Sequence, residues 1–188
     1  VPNFYKEDKV KVYVLRGVTT RGETLTENMV ERYLKSISLF LRRVRVNTAL
    51  FTASYRVQRT LLENGLRELI EGLGYDLFVE EKGMSGVEAR RILDEFKGMA
   101  SKGKAVLVAP MGGRFAEGAD FPGEELQAIY LVGIPFEKPT TKINLYVKYY
   151  EEMYGERKGR EYAYVIPALR RAAQALGRAV RGPEDKAV

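Results

Sequence analysis

Apolar and polar positions along the chain follow two patterns, which predict two kinds of element. Short runs of apolar or β-branched residues predict strands. These runs cover residues 11–16, 46–52, 75–80, 105–110 and 128–133. Between them, apolar residues recur every three or four positions, as they do on one face of a helix. Strands that alternate with amphipathic helices favour a three-layer α/β fold, with a mostly parallel sheet and helices on both faces.

Capping residues predict where the first helices begin. Thr24 and Glu27 have the spacing of a capping box, and Ser85 and Glu88 repeat it. Ser54 lies between these two positions and is a suitable N-cap for another helix. We therefore expect three helices in the first half of the chain, each starting at a hydroxyl side chain.

The last third of the chain predicts two helices separated by a turn. The helices are expected over residues 142–154 and 167–181, the second beginning at a proline, which suits a first helical turn. The charged residues 156–160 predict a solvated turn. Four tyrosines, Tyr146, Tyr149, Tyr150 and Tyr154, lie on the first of these helices. Their spacing suits either base stacking or a helix packed on a sheet, and both interpretations stay open.

The composition excludes several kinds of chemistry within this chain. Its 188 residues contain no cysteine and no histidine, which excludes disulfides, thiol nucleophiles, zinc or iron–sulfur ligation and histidine-based triads. The net charge of +6 favours a polyanionic partner, nucleic acid first. No apolar run is long enough to span a membrane and no signal peptide is visible, so we expect a cytoplasmic protein, associated with the nucleoid or nucleus.

One segment resembles a phosphate-binding P-loop, but its context is wrong. Residues 98–105 lack the final hydroxyl residue, since Ala105 stands in its place. A P-loop follows a strand and opens a helix, whereas here a helix is expected before the segment and a strand after it. We expect the end of a helix and a basic turn, so the chain has no phosphate cradle of its own.

The strongest chemical signal lies in the last helix. Gln174, Arg178 and Arg181 are spaced four and three residues apart, which places an amide and two guanidinium groups on one helical face. Gly177 lies among them and indicates the close approach of another backbone or of a phosphate. Forked guanidinium groups suit phosphoryl oxygens, and an arginine near a γ-phosphate stabilises the charge that develops during its transfer.

A second signal is the glycine-rich segment 112–121. Its glycines allow a sharp turn after the strand or a close approach to a phosphate. Asp120 is suited to hold a ribose hydroxyl or to orient an arginine, and Arg114 and Glu117 belong to the same loop. In parallel sheets ligands bind where the strands end, so this segment is expected at the functional edge.

These segments together resemble motifs of the XPD/DinG branch of superfamily 2 helicases. Residues 174–182 (QALGRAVRG) resemble motif VI, residues 113–121 (GRFAEGADF) motif V, and residues 50–55 (LFTASY) motif IV. Residues 132–136 (VGIPF) resemble a further segment of the branch, and Thr20-Arg21 is a fainter match. Ala119 stands where the family prefers isoleucine or valine. The resemblance covers most of residues 10–186 and implies one RecA-like second motor domain over 1–188, a fragment of a longer DNA helicase.

The resemblance also implies roles for individual residues on the nucleotide side. Arg178 and Arg181 would be arginine fingers, reaching ATP and Mg²⁺ held mainly by the absent first motor domain. Gln174 would support the γ-phosphate or the attacking water. Gly118 and Asp120 would couple the nucleotide state to the strand-binding loop. Without a P-loop the fragment alone is expected to be inactive as an ATPase, and no metal ligands are evident in it.

On the nucleic-acid side, the resemblance implies that Ser54, Tyr55, Arg114 and Glu117 lie near the backbone of single-stranded DNA. The expected partners are that strand and the first motor domain, and the expected direction of movement is 5′ to 3′. Two alternatives stay open. One is a non-catalytic nucleic-acid-binding module that kept this fold. The other is an unrelated α/β enzyme that uses Asp120 and Glu117 as an acid/base pair.

Overall fold

The sheet of the protein has four parallel strands. A computed structural model describes residues 9–20, 25–180 and 185–188. The strands are β1 (Thr48–Thr52), β2 (Asp76–Val79), β3 (Ala105–Pro110) and β4 (Ala128–Val132), in the order β2-β3-β1-β4. They confirm the predicted strands over 46–52, 75–80, 105–110 and 128–133. Because Thr52 aligns with both Pro110 and Val132, three strands end at the same level.

The strand expected over residues 11–16 is not formed, so this prediction was wrong. Val10 makes an isolated parallel bridge with Ala187, and the Lys11 amide donates to the Ala187 carbonyl at 3.0 Å. Beyond that point the side chains of Val12 and Val14 are exposed. A composition rich in β-formers produces a strand only where a partner strand accepts its hydrogen bonds, and the described part of the chain pairs none with residues 12–16.

The described ranges contain eight α-helices. They are α1 (Glu27–Val44), α2 (Tyr55–Leu61), α3 (Arg67–Gly72), α4 (Gly86–Gly98), α5 (Arg114–Gly118), α6 (Thr141–Tyr154), α7 (Glu156–Arg160) and α8 (Ile166–Leu176). A kink at Asn64 and Gly65, where the Gly65 φ is 102°, separates α2 from α3. A short turn at Gly177–Ala179 continues α8.

Two of the three predicted N-caps are confirmed, and the third is shifted. The Ser54 and Ser85 hydroxyls accept hydrogen bonds from the Val57 and Glu88 amides, at 3.3 and 3.1 Å. The cap of α1 is Thr26, whose hydroxyl accepts from the amide of Met29, and not Thr24, which lies outside the described residues. The capping-box spacing favoured Thr24, because Glu27 follows it by three residues, whereas Met29 holds that position after Thr26. The hydroxyl of Thr26 caps the helix without the acidic partner of a capping box.

Alternate residues of each strand enter two separate cores. Residues such as Phe51 and Leu107 face α4, α5 and α8, whereas Leu50, Val106 and Val108 face α1, α2 and α3. This two-residue alternation with helices on both faces confirms the expected layered α/β fold. Burial of each such aliphatic side chain stabilises the fold by about 1.5–3 kcal/mol.

The helical hairpin of α6 and α7 differs from the prediction. Residues 156–160 form α7 and not a solvated turn, because buried Gly159 lets this helix lie directly on the backbone of Glu151. The helix α6 contains no buried residue, and it packs on α7 and on the segment Glu161–Val165. Packing of the α6 tyrosines on the sheet is therefore wrong: they contact one another, and Tyr149 is 57% exposed.

Candidate functional site at the carboxyl edge of the sheet

The segments that follow β1, β2 and β3 meet at the carboxyl edge of the sheet. After β1 the chain passes directly through Ser54 into α2, and after β3 it turns through Gly112 and Gly113 into α5. The amide of Met111 donates to the carbonyl of Thr52 at 2.8 Å, which holds these two segments together. The edge therefore combines the residues expected at the DNA side with the glycine-rich segment 112–121.

The short helix α5 is anchored on its buried face. Phe115 and Ala116 belong to the core shared with α4 and α8, whereas Arg114 and Glu117 are exposed. The expected DNA-contacting residues of this loop thus project outward from a helix fixed by apolar packing.

Glu80, the residue after β2, caps the N-terminus of α5. Its side chain is buried, with 1% exposure, and both carboxylate oxygens accept hydrogen bonds. Oε1 accepts from the Tyr55 hydroxyl at 2.7 Å and from the Arg114 amide at 2.9 Å, and Oε2 accepts from the Phe115 amide at 3.0 Å. A negative charge at this position is stabilised by the helix dipole and by the free amides of the first turn.

The loop must have glycine at position 113 to make room for this carboxylate. A Cβ on Gly113 would lie 2.5 Å from Oε1 and 2.6 Å from Oε2 of Glu80. A Cβ on Gly112 would have nothing within 4 Å. The expected close approach in this loop is therefore to a protein carboxylate at Gly113.

Sequence reasoning missed Glu80 as a functional candidate. Its one signal was its position: it is the acidic last residue of the predicted strand 75–80, at the edge where ligands bind. Nothing in the local pattern connects it to Tyr55 or to α5, since these partners lie 25 and 34 or more residues away.

The environment of Tyr55 keeps its hydroxyl protonated. Burial raises the pKa of Tyr55 to about 12, and the hydrogen bond to Glu80 and the negative charge of that carboxylate act in the same direction. The positive charge of Arg114 opposes them. The phenol therefore acts as a hydrogen-bond donor to Glu80 at neutral pH.

Arg178 binds the opposite end of α5. The turn that follows α8 brings its guanidinium against the last carbonyls of α5. Nε donates to the Ala116 carbonyl at 2.6 Å, Nη1 donates to the Ala119 carbonyl at 2.8 Å, and Nη2 donates to the carbonyl of Glu117. The two segments that carried the strongest sequence signals are thus in direct contact, as expected for residues that serve one site.

The structure places the other predicted site residues around this contact. Gln174 is exposed on α8, one turn before Arg178, and Gly118 and Asp120 are exposed beside the carbonyls that Arg178 binds. A Cβ on Gly177 would have nothing within 4 Å, so the close neighbour expected there is not a described part of this chain. Arg181 lies outside the described residues.

The structure also bears on the segment that resembles a P-loop. Helix α4 ends at Gly98, a turn follows at Met99–Ser101, and β3 begins at Ala105. The expected helix end before a strand is confirmed. Within the described ranges, no three acidic side chains form a group that could hold a metal ion. None of the described helices is long and apolar enough to cross a membrane.

An open depression of about 820 Å³ lies away from this site, next to the start of β2 and the end of α4. Its lining includes Tyr75, Phe78, Asp94 and Met99. Neither Asp120 nor Glu117 takes part in it. The depression therefore does not support the pairing of these two carboxylates as a small-molecule active site.

Comparison with known proteins gives consistent matches. The profile of a family described as "Helicase C-terminal domain" matches residues 37–188. A probable ATP-dependent helicase of Methanocaldococcus jannaschii is 33% identical over 120 residues, which cover 60% of this chain and 18% of that protein. The ATP-dependent DNA helicase XPD of Sulfolobus acidocaldarius is 22% identical over 177 residues, which cover 93% of this chain and 29% of that protein.

The fold is also found in solved structures. A solved XPD helicase superposes with a TM-score of 0.68 at 21% identity, over 90% of this chain and 29% of the other. This likeness confirms the expected RecA-like fold. The chain spans less than a third of the length of these relatives.

Proposed function

The chain belongs to the helicase C-terminal domain family, and from this premise we propose that it is the second motor domain of an ATP-dependent DNA helicase. Residues 1–188 would form one RecA-like domain of a longer polypeptide. The first motor domain would hold ATP and Mg²⁺ and would face the carboxyl edge of the sheet described above. The relative named ATP-dependent DNA helicase XPD supports the assignment of DNA as the substrate.

One observation carries the proposal: α5 is bound by Arg178 at one end and by Glu80 and Tyr55 at the other. A motor needs a mechanical connection between its nucleotide and its nucleic acid. Here the arginine-bearing segment and the segment after β1 hold the same short helix, so a shift at either is transmitted to the other.

On the nucleotide side, we assign distinct roles to the two arginines. Arg178 links the arginine-bearing segment to α5, since three of its nitrogens donate to carbonyls there. Arg181 lies three positions further and acts as the finger that stabilises charge on the transferred phosphoryl group. Gln174 supports the γ-phosphate or the attacking water. Asp120 and Gly118 couple the nucleotide state to the position of α5.

On the nucleic-acid side, single-stranded DNA contacts the exposed residues of α5 and the half-buried residues at the start of α2. Arg114 supplies a positive charge for a phosphate, and the edge formed by Ser54, Tyr55 and Glu117 shapes the path of the strand. The hydroxyl of Ser54 accepts a bond from the Val57 amide and keeps its own hydrogen to donate to the strand. Movement is 5′ to 3′, as the resemblance implies.

The test compares ATP hydrolysis by the longer polypeptide and by this chain, each with and without single-stranded DNA. The longer polypeptide should hydrolyse ATP faster when DNA is added, and this chain should not hydrolyse ATP. The competing function, a non-catalytic binding module, predicts DNA binding by both and hydrolysis by neither. Absence of DNA-stimulated hydrolysis in a well-folded longer polypeptide would therefore overturn the motor assignment.

A further inference from the structure

We propose that Glu80 is a positioning residue that couples single-stranded DNA binding at Tyr55 and Arg114 to the placement of Arg178, and so to the rate of ATP turnover. The inference rests on the proposed function, because it concerns how that motor is regulated by DNA. Glu80 itself is 1% exposed, so it acts through the groups that it binds and not by touching either ligand.

The first step is the connection between Glu80 and α2. The Tyr55 hydroxyl donates to its carboxylate at 2.7 Å, and the Gln58 side-chain amide donates to its main-chain carbonyl at 2.8 Å. Two side chains one turn apart on α2 therefore hold Glu80 by separate atoms. A displacement of the start of α2 by a bound strand moves the carboxylate with it.

The second step is the connection between Glu80 and α5. The carboxylate accepts from the amides of Arg114 and Phe115, the first two residues of that helix. Hydrogen bonds to an ionised acceptor are roughly twice as strong as neutral ones. The bonded donors are a phenol and two amides, so the carboxylate charge is balanced by dipoles that point at it from two elements. This arrangement favours one relative position of α2 and α5.

The third step is the connection between α5 and Arg178. The helix has five residues, and the guanidinium of Arg178 donates to its carbonyls at Ala116 and Glu117. A helix this short does not bend within itself, so its two ends move together. Binding of a phosphate at Arg114 therefore changes the position of the carbonyls that hold Arg178, by way of the same helix that Glu80 orients.

A plain capping role does not account for all of these contacts. A serine or aspartate directly before α5 in the sequence would accept from one amide of its first turn, as Ser54 and Ser85 do for α2 and α4. Here the cap is Glu80, which follows β2 and lies 34 positions before α5, and the same carboxylate also binds Tyr55 of α2. Because one carboxylate binds both helices, it connects α2 to α5 as well as capping α5.

The test uses Glu80→Gln and Tyr55→Phe in the longer helicase, with Glu68→Gln, an exposed acid on α3, as the matched control. In Glu80→Gln, an NH₂ group replaces one carboxylate oxygen and then faces a group that itself donates a hydrogen bond. Tyr55→Phe removes the hydrogen bond between α2 and the carboxylate, and leaves both carboxylate bonds to α5 and the Gln58 bond to the Glu80 main chain. The ratio of DNA-stimulated to basal ATP turnover should fall about tenfold in both variants, and the control should keep the ratio of the parent.

A second readout does not depend on activity. Single-stranded DNA should slow hydrogen exchange at the Arg114 and Phe115 amides in the parent and should not do so in Tyr55→Phe. The double variant Glu80→Gln and Tyr55→Phe should lose no more DNA stimulation of ATP turnover than the more strongly affected single variant, because both substitutions interrupt the same connection.

The outcomes separate this inference from the proposed function. If the parent helicase shows no DNA-stimulated turnover, the proposed function fails and this inference fails with it. If the parent is stimulated and both variants keep its ratio, only the coupling role of Glu80 is overturned. A third outcome would also overturn the coupling role. In it, Glu80→Gln loses basal and stimulated turnover equally and melts at a lower temperature, and Tyr55→Phe has no effect. Glu80 would then only cap α5.

Discussion

Glu80 and Arg178 bind opposite ends of the same five-residue helix. The Glu80 carboxylate accepts from the first amides of α5, at 2.9 and 3.0 Å. The Arg178 guanidinium donates to the Ala116 carbonyl of α5 at 2.6 Å and to the carbonyl of Ala119, the residue after the helix, at 2.8 Å. The signs of both charges match the helix dipole. An isolated helix of this length is unstable in water, so the position of α5 depends on these two side chains and on its buried face.

Loss of the arginine finger should abolish turnover without unfolding the protein. In the longer helicase, we expect Arg181→Ala to retain ATP binding and to lose DNA-stimulated ATP turnover by about a hundredfold or more, since a comparable arginine contributes about 10³–10⁵ in rate. Lysine at position 181 should not restore turnover, because its point charge cannot replace the planar guanidinium group. The measurements are nucleotide affinity, the rate of DNA-stimulated ATP hydrolysis and the melting temperature. Arg157→Ala, an exposed arginine on α7, is the control. Near-normal turnover in a folded Arg178→Ala and Arg181→Ala double variant would refute both assignments.

Arg178→Ala should differ from Arg181→Ala because it also lowers stability. Three nitrogens of Arg178 bind carbonyls of α5 and the residue after it. Their loss should reduce the free energy of unfolding by about 1–3 kcal/mol, because partly buried acceptors lose their donors. Chemical denaturation of the 188-residue chain measures the change. Arg170→Ala, at an exposed position of α8, should change stability by less than about 0.5 kcal/mol. Equal stability of the two variants would show that the Arg178 bonds contribute nothing net.

DNA binding by the chain should be electrostatic and independent of sequence. We expect weak binding of single strands that falls as salt rises, and Arg114→Ala should reduce the salt slope by about 1. The reduction in affinity should be the same for different sequences, because phosphate contacts carry no base information. Salt titrations with two unrelated oligonucleotides measure this. Lys102→Ala, which removes an exposed charge near the start of β3, is the control. A preference of Arg114→Ala for one oligonucleotide would contradict a phosphate contact.

Two adjacent glycines should respond very differently to alanine. Gly113→Ala places a methyl group 2.5 Å from a Glu80 oxygen, so α5 or the carboxylate must shift. We expect a loss of about 1–3 kcal/mol of unfolding free energy, as for other overpacked sites. Gly112→Ala meets nothing within 4 Å and should be nearly neutral. Denaturant titration of both variants makes the comparison. Similar stabilities would mean that the carboxylate of Glu80 does not lie against the loop.

Several features of the fold and the site were predictable from the sequence because they depend on neighbours along the chain. The continuous apolar run over residues 105–110 predicts the strand β3, and its side chains are buried on both faces of the sheet. The Ser54 and Ser85 caps follow from hydroxyl positions three residues before the amides that they bind. The predicted last helix is present and carries Gln174, but α8 ends at Leu176, so Arg178 lies in the turn after it and not on the helix. The resemblance of this segment to helicase motifs gave the family.

Other features were decided only when distant segments came together. Residues 12–16 lack a paired strand, α7 forms against the backbone of α6 at Gly159, and Glu80 reaches Tyr55 and α5. Arg178 was expected to face a nucleotide, and its guanidinium binds carbonyls about 60 residues away along the chain. Sequence periodicity specifies the hydrogen bonds within a helix and the two faces of a strand. The partner of a buried charge depends on which elements the parallel sheet brings to the same edge, and that is a property of the packed fold.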